Sequence, residues 1–217
     1  MNRRPALPQL ATVTLTAVAA LTLSACGGDS SDEVAGGGTE SGTVKSSSPG
    51  VSANADAGRP KIVLPADLTY TFEWPKTGDK EKDAVLSDSE QSIKAVDLAI
   101  ANQDALDPAY LFYYEGEAAA GTEQFIQNYV KNKARTTGSY RFYDPDVTVG
   151  DDGTASFSYC EDQGKAYVMY LRPERVKETE VTAQSYVIYH TSLKKNEKGV
   201  WVIQKIDSQS GSAKCQP

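Results

Sequence analysis

The chain has 217 residues and a net charge of −7, with 22 Lys and Arg against 29 Asp and Glu. That acidic balance excludes a nucleic-acid binder, which needs a basic face. A single histidine, His190, removes most zinc sites and weakens any Ser-His-Asp arrangement. The three cysteines form no Cys-x-x-Cys pair, so a thioredoxin-like redox role has no support. No cofactor and no metal is expected.

Arg3 and Arg4 precede an apolar run from Leu10 to Leu23, broken only by threonines. A transmembrane helix needs about 20 apolar residues, whereas a secretory signal needs an apolar stretch of about 7–15. The run ends in Leu23-Ser24-Ala25-Cys26, which reads as a lipobox. Residues 1–25 are therefore expected to be a lipoprotein signal. Cleavage before Cys26 and acylation of its thiol would anchor the chain to the outer face of the cell membrane. Pro5-Ala6 behind the paired arginines does not fit twin-arginine export.

Residues 26–60 are rich in Gly, Ser, Thr, Ala and acids, with almost no large apolar side chain. Such a stretch cannot bury enough surface to offset chain entropy, and it reads as a disordered tether. Roughly 150 residues remain, enough for one domain with a real core, 61–217.

Leu68, Tyr70, Phe72 and Trp74 alternate with polar residues and predict a strand, which Pro75 ends and marks as an edge. Leu86, Ile93, Val96 and Ile100 recur at helical spacing behind a capping box, Ser87-x-x-Glu90. Asp107-Pro108 opens a short second helix carrying Tyr110, Tyr113 and Tyr114, with Gly116 as its stop. Gly121-Thr122 starts a third, with Phe125, Ile126, Tyr129 and Val130 on one side and Gly138 closing it.

Strands follow. Tyr140–Tyr143 resumes at Val147–Val149, and Asp151-Asp152-Gly153 turns the chain. Ala155, Phe157 and Tyr159 alternate, with Cys160 on the opposite parity. Gln163-Gly164 predicts a second turn before Tyr167, Met169 and Leu171. A long β-forming run, Val181–Leu193, turns at residues 195–199 into Val200-Trp201-Val202-Ile203. Helices first and then an antiparallel meander predict an α+β fold, with helices on one face of a curved sheet. Cys160 and Cys215 form an even pair once Cys26 carries lipid, and in an exported protein they are expected to be disulfide-bonded.

Three helices followed by long strands ending in Gly199-Val200-Trp201-Val202-Ile203 resemble the nuclear transport factor two-like cone fold. More narrowly, the chain resembles a group of actinomycete secreted lipoproteins with no assigned activity. The segments that carry this are Glu73-Trp74-Pro75-Lys76-Thr77-Gly78-Asp79, Tyr110–Gly116, Arg141-Phe142-Tyr143, Ser158–Asp162 and Gly211–Pro217. The resemblance implies a pocket between helices and sheet. Some proteins of the cone fold are isomerases, dehydratases or small-ring cyclases, with carboxylates, tyrosines and histidines pointing inward.

Tyr110, Tyr113 and Tyr114 are candidate donors for such chemistry, and Asp104 or Asp107 candidate bases. Tyr129 and His190, which shares strand parity with Tyr186 and Ile188, are further candidates for a pocket or its rim. Each also has a plainer role. Asp107 fits a helix cap, and tyrosines at a helix end usually bury the ring and leave the hydroxyl wet. Glu161-Asp162 with Asp151-Asp152 lacks the alternating oxygen ligands of a calcium loop. Two functional classes follow. The favoured one is a non-catalytic domain on a lipid anchor, binding a small ligand or an envelope protein. The other is an isomerase- or dehydratase-like enzyme. A cone filled by Phe125, Tyr129 and Trp201 would fit the first. A buried carboxylate facing a tyrosine hydroxyl across an open pocket would fit the second.

Overall fold

The computed structural model describes residues 58–217. The leader, Cys26 and the tether as far as residue 57 lie outside the described residues. Arg59 is already held, its guanidinium donating to Asp88 at 2.9 and 3.1 Å.

The alternating aromatics form β1 (Leu68–Phe72), an edge strand that runs parallel to its neighbour β2 (Ala134–Val149). Between them lie the helices α1 (Lys80–Asn102), α2 (Pro108–Leu111) and α3 (Gly116–Lys131). After β2 the chain runs through β3 (Thr154–Leu171), β4 (Glu174–Lys177), β5 (Tyr186–Lys195) and β6 (Trp201–Ser210). The sheet order is β1-β2-β3-β5-β6, with β4 paired to the far end of β3. Every pairing except β1 with β2 is antiparallel. The α+β class, the three helices, the curved sheet and the edge position of β1 stand as expected, while the parallel pairing of that edge strand was not legible in the sequence.

Several boundaries differ. Asp79, not Ser87, caps α1, its carboxylate accepting from the amides of Glu81 and Lys82 at 2.8 and 3.1 Å. Ser87 lies two turns inside, where backbone amides are already bonded along the helix. Gly116 opens α3 rather than closing α2.

Gly138 does not end a helix. It lies within β2 at φ +92°, where a Cβ would come within 2.2 Å of the Lys165 carbonyl oxygen, so the close approach of β2 and β3 demands glycine. The two breaks expected in the strands are β-bulges in continuous strands. Gln163-Gly164 opposes the single residue Tyr140, and Asp144-Pro145 opposes the single residue Tyr159. Turn-forming residues supply the extra residue that bends a strand as readily as they reverse it.

These bends curl the sheet around the helices. Val85, Ile100, Ile126, Phe142, Phe157 and Trp201 are buried between the two layers. Cys160 lies on the other face of the sheet, bonded to Cys215 with Cα atoms 5.5 Å apart. Ile188 and the rings of Tyr143 and Tyr186 pack around that bond. The Tyr143 hydroxyl donates to the Cys215 carbonyl, and the tail is pinned to the outside of the sheet.

Candidate functional site

Helical periodicity puts Ile93, Val96, Asp97 and Ile100 on one stripe of α1, facing the sheet. An acid on that stripe must enter the interior. Asp97 does so, and it borders a cavity of about 420 Å³ enclosed by α1, α3 and the inner face of the sheet. Its Oδ1 accepts from the Thr136 hydroxyl at 2.6 Å, and its Oδ2 accepts from the hydroxyl of Tyr70. Burial raises the Asp97 pKa from its ordinary value, opposed by these two donors.

Strand periodicity delivers the second acid. Phe157, Tyr159 and Glu161 point inward from β3, while Ser158 and Cys160 point outward. Glu161 is only 7% exposed and borders the same cavity. Its pKa is pushed up to about 8, first by burial and then by the negative charge of Asp97, while contact with the Tyr189 hydroxyl works the other way. Tyr189 on β5 pairs with Tyr159, and their rings stack at 5.0 Å. Asp97 and Glu161 thus approach one chamber from helix and sheet, each against a tyrosine hydroxyl. At neutral pH Glu161 keeps its proton.

Tyrosine dominates the remaining wall. Tyr114, Tyr129, Tyr140 and Tyr159 line it with Phe142, and Phe125 stands at the rim, 49% exposed. Burial raises the hydroxyl pKa of Tyr129 to about 12 and that of Tyr140 well above the ordinary value. These groups remain neutral donors. Among the described residues, no lysine, arginine or histidine lines the chamber.

Of the tyrosines singled out from sequence, Tyr114 and Tyr129 line this cavity. Tyr110 and Tyr113 do not. Both are fully buried in the core, and their hydroxyls have no partner there. His190 is exposed on the outer face of the sheet, in a shallow polar groove of about 220 Å³ with Asp146 and Asp207. Asp107 caps α2 through the Ala109 amide at 2.8 Å, and Asp104 accepts from the Leu106 amide at 2.9 Å. Trp201 fills the core rather than the chamber. Sequence reasoning did not single out Asp97 or weigh Glu161 as an interior acid. The available signal was an acid at an apolar position in each period, i+4 from Ile93 and i+2 from Tyr159.

No family model and no curated protein matches the chain. Among solved structures it is similar to a ketosteroid isomerase-like protein from Erwinia carotovora atroseptica. The identity is 12% and the TM-score 0.41, over 62% of this chain and 98% of that one. Aln2 from a Streptomyces species is similar at 13% identity and a TM-score of 0.41, over 64% of this chain and 94% of that one. The intermembrane space region of chloroplast protein ARC6 is similar at 13% identity and a TM-score of 0.40, over 63% and 99%. Likenesses at these TM-scores carry no weight for function, which rests on the cavity itself.

Proposed function

We propose that the domain is a cone-type enzyme of the dehydratase or isomerase kind, acting on a small molecule by proton transfer inside the cavity. The observation that carries this reading is the pair Glu161 and Asp97, two carboxyls in one chamber whose surroundings separate their proton affinities. Paired groups of that kind divide acid and base roles between them. Glu161, still protonated at neutral pH, donates its proton to a leaving hydroxyl, and the carbon–oxygen bond breaks to release water. Asp97, which ionises first, takes a proton from the neighbouring carbon, and the carbon–carbon double bond forms. The proton that left Glu161 is matched by the one gained at Asp97, and exchange with water resets both. Aromatic walls and the Asp97 charge favour the positive charge that develops as the hydroxyl departs.

This reading takes precedence over a non-catalytic binding domain because it gives both acids of the chamber a use. We further propose, from Leu23-Ser24-Ala25-Cys26, that the mature chain begins at Cys26 and presents this domain outside the membrane on a lipid anchor. Membrane retention of Cys26→Ser would oppose that.

The catalytic test uses allylic and benzylic alcohols and β-hydroxy ketones, each in neutral, ammonium-bearing and carboxylate-bearing forms, incubated with the protein in deuterated water and followed by NMR. Water loss or deuterium uptake is expected for the wild type and at least about 100-fold less for Glu161→Gln. Absence of both across the panel, or full activity in Glu161→Gln, would sink the proposal.

A further inference from the structure

We infer that the ligand of this cavity is an organic cation, an ammonium-bearing molecule whose charge sits against Asp97 among the rings of Tyr129, Tyr140 and Tyr159. The inference rests on the reading of the cavity as the substrate site. It does not rest on which reaction follows.

Charge is the first ground. Asp97 accepts hydrogen bonds from Thr136 and Tyr70, both neutral donors, so its own charge is solvated but not balanced. A carboxylate withdrawn from water without a counter-ion is costly, and a cation that enters recovers part of that cost. No described side chain does so here. Among the described residues no basic group lines the chamber, and Lys94, one turn before Leu98 on α1, is paired with Glu90. An anionic ligand would meet one carboxylate and no cation. An uncharged ligand would leave the imbalance as it stands.

The wall points the same way. Tyrosine and phenylalanine rings carry negative charge on their faces, and a box of such rings beside a carboxylate attracts an alkylated ammonium, which is weakly hydrated and cheap to bring in. The cavity volume of about 420 Å³ admits one ring-sized molecule. Site and reaction are also linked. The same charge and the same rings that would hold an ammonium would stabilise a carbon centre turning positive, so recognition and chemistry would use one electrostatic field.

The test compares three ligands of nearly one shape on the full-length protein by ligand-observed NMR titration. They are benzyltrimethylammonium, its uncharged carbon isostere neopentylbenzene, and the anion 3-phenylpropionate. The cation is expected to bind about tenfold or more tightly than the isostere, and the anion not to bind. Asp97→Asn should cut the cation's preference at least about threefold, leaving the part the rings supply, whereas Glu161→Gln should keep it in full. Equal binding of cation and isostere, binding of the anion, no binding of the cation, or a preference undiminished by Asp97→Asn would each overturn the inference. If Asp97→Asn does not fold, the wild-type comparison decides alone. A cation preference without any proton transfer would remove the catalytic reading and leave this one standing.

Discussion

Negative charge on Asp97, at the inner stripe of α1, helps keep a proton on Glu161, which reaches the same chamber from β3. The two residues are far apart in sequence, and neither sits in a recognisable motif. Their coupling shapes the pH dependence of the site.

Activity should have a bell-shaped pH profile. Glu161 must be protonated to act as the acid, so activity falls as pH rises past about 8. Asp97 must be ionised to act as the base, so activity falls on the acid side, with that limb shifted upward from the ordinary aspartate value because burial raises this carboxyl. Glu161→Gln should abolish the alkaline limb along with most of the rate. A profile flat between about pH 6 and 10 would contradict the assignment.

The same group links pH to stability. Its folded pKa of about 8 lies above the ordinary glutamate value of 4.5, so the folded state binds more protons between those values. Stability is then fullest below pH 4.5 as far as this group is concerned, and it declines as pH rises toward about 8. Glu161→Gln should flatten that part of the curve and raise the thermal midpoint at about pH 9 relative to wild type. An unchanged difference between about pH 5 and pH 9 in the variant would refute the link.

Gly138→Ala should destabilise the fold by more than about 2 kcal/mol. The added methyl would meet a backbone oxygen at 2.2 Å, at a φ of +92° that an alanine rarely adopts. Gly121→Ala is the control, since nothing lies within 4 Å of its Cβ position. Urea denaturation should separate the two. Equal midpoints would mean that β2 and β3 can part without cost.

Removing the Cys160–Cys215 bond by Cys215→Ser should cost up to about 4 kcal/mol, the loop-entropy value for a separation of 55 residues. The cavity should keep its shape, because the bond lies on the outer face of the sheet. A lowered melting temperature with ligand affinity preserved is the expected pair of results. Lost affinity at temperatures where the variant is folded would show that the tail supports the inner face.

Arg59→Ala should cost about 3 kcal/mol, the usual loss when one partner of a largely buried ion pair is removed. Asp88 would keep the Trp201 amide, which donates at 2.9 Å, but it would lose its cation. Double substitution with Asp88→Asn should recover part of the loss. No recovery would mean that Arg59 acts by packing alone.

Much of the fold was legible because its periodicities are clean. Phe157 and Tyr159 alternate against Cys160, and that parity alone separates the inner from the outer face of β3. Asp107-Pro108 marked a helix start without ambiguity. What was not legible depends on long-range pairing. Gln163-Gly164 and Asp144-Pro145 have turn chemistry, and only the partner strand shows that each is a bulge. Gly138 has no local signature, since its constraint is the carbonyl of Lys165 on the neighbouring strand. Asp97 and Glu161 broke the apolar pattern at inward positions, and such breaks carry more information about a site than a tyrosine-rich helix end. Tyr110 and Tyr113 went to the core because a ring is worth more buried than its hydroxyl costs.

Cys160 and Glu161 are consecutive residues with opposite assignments, one stapling the outside of the sheet and one facing the chamber. Sliding β3 by a single position would send the thiol inward and the acid into water. The covalent bond to Cys215 forbids that slide. It therefore fixes on the outer face the same register that the β2 and β5 ladders impose on the acid beside it, and an oxidising compartment would add strength to a chamber whose alignment the sheet already holds.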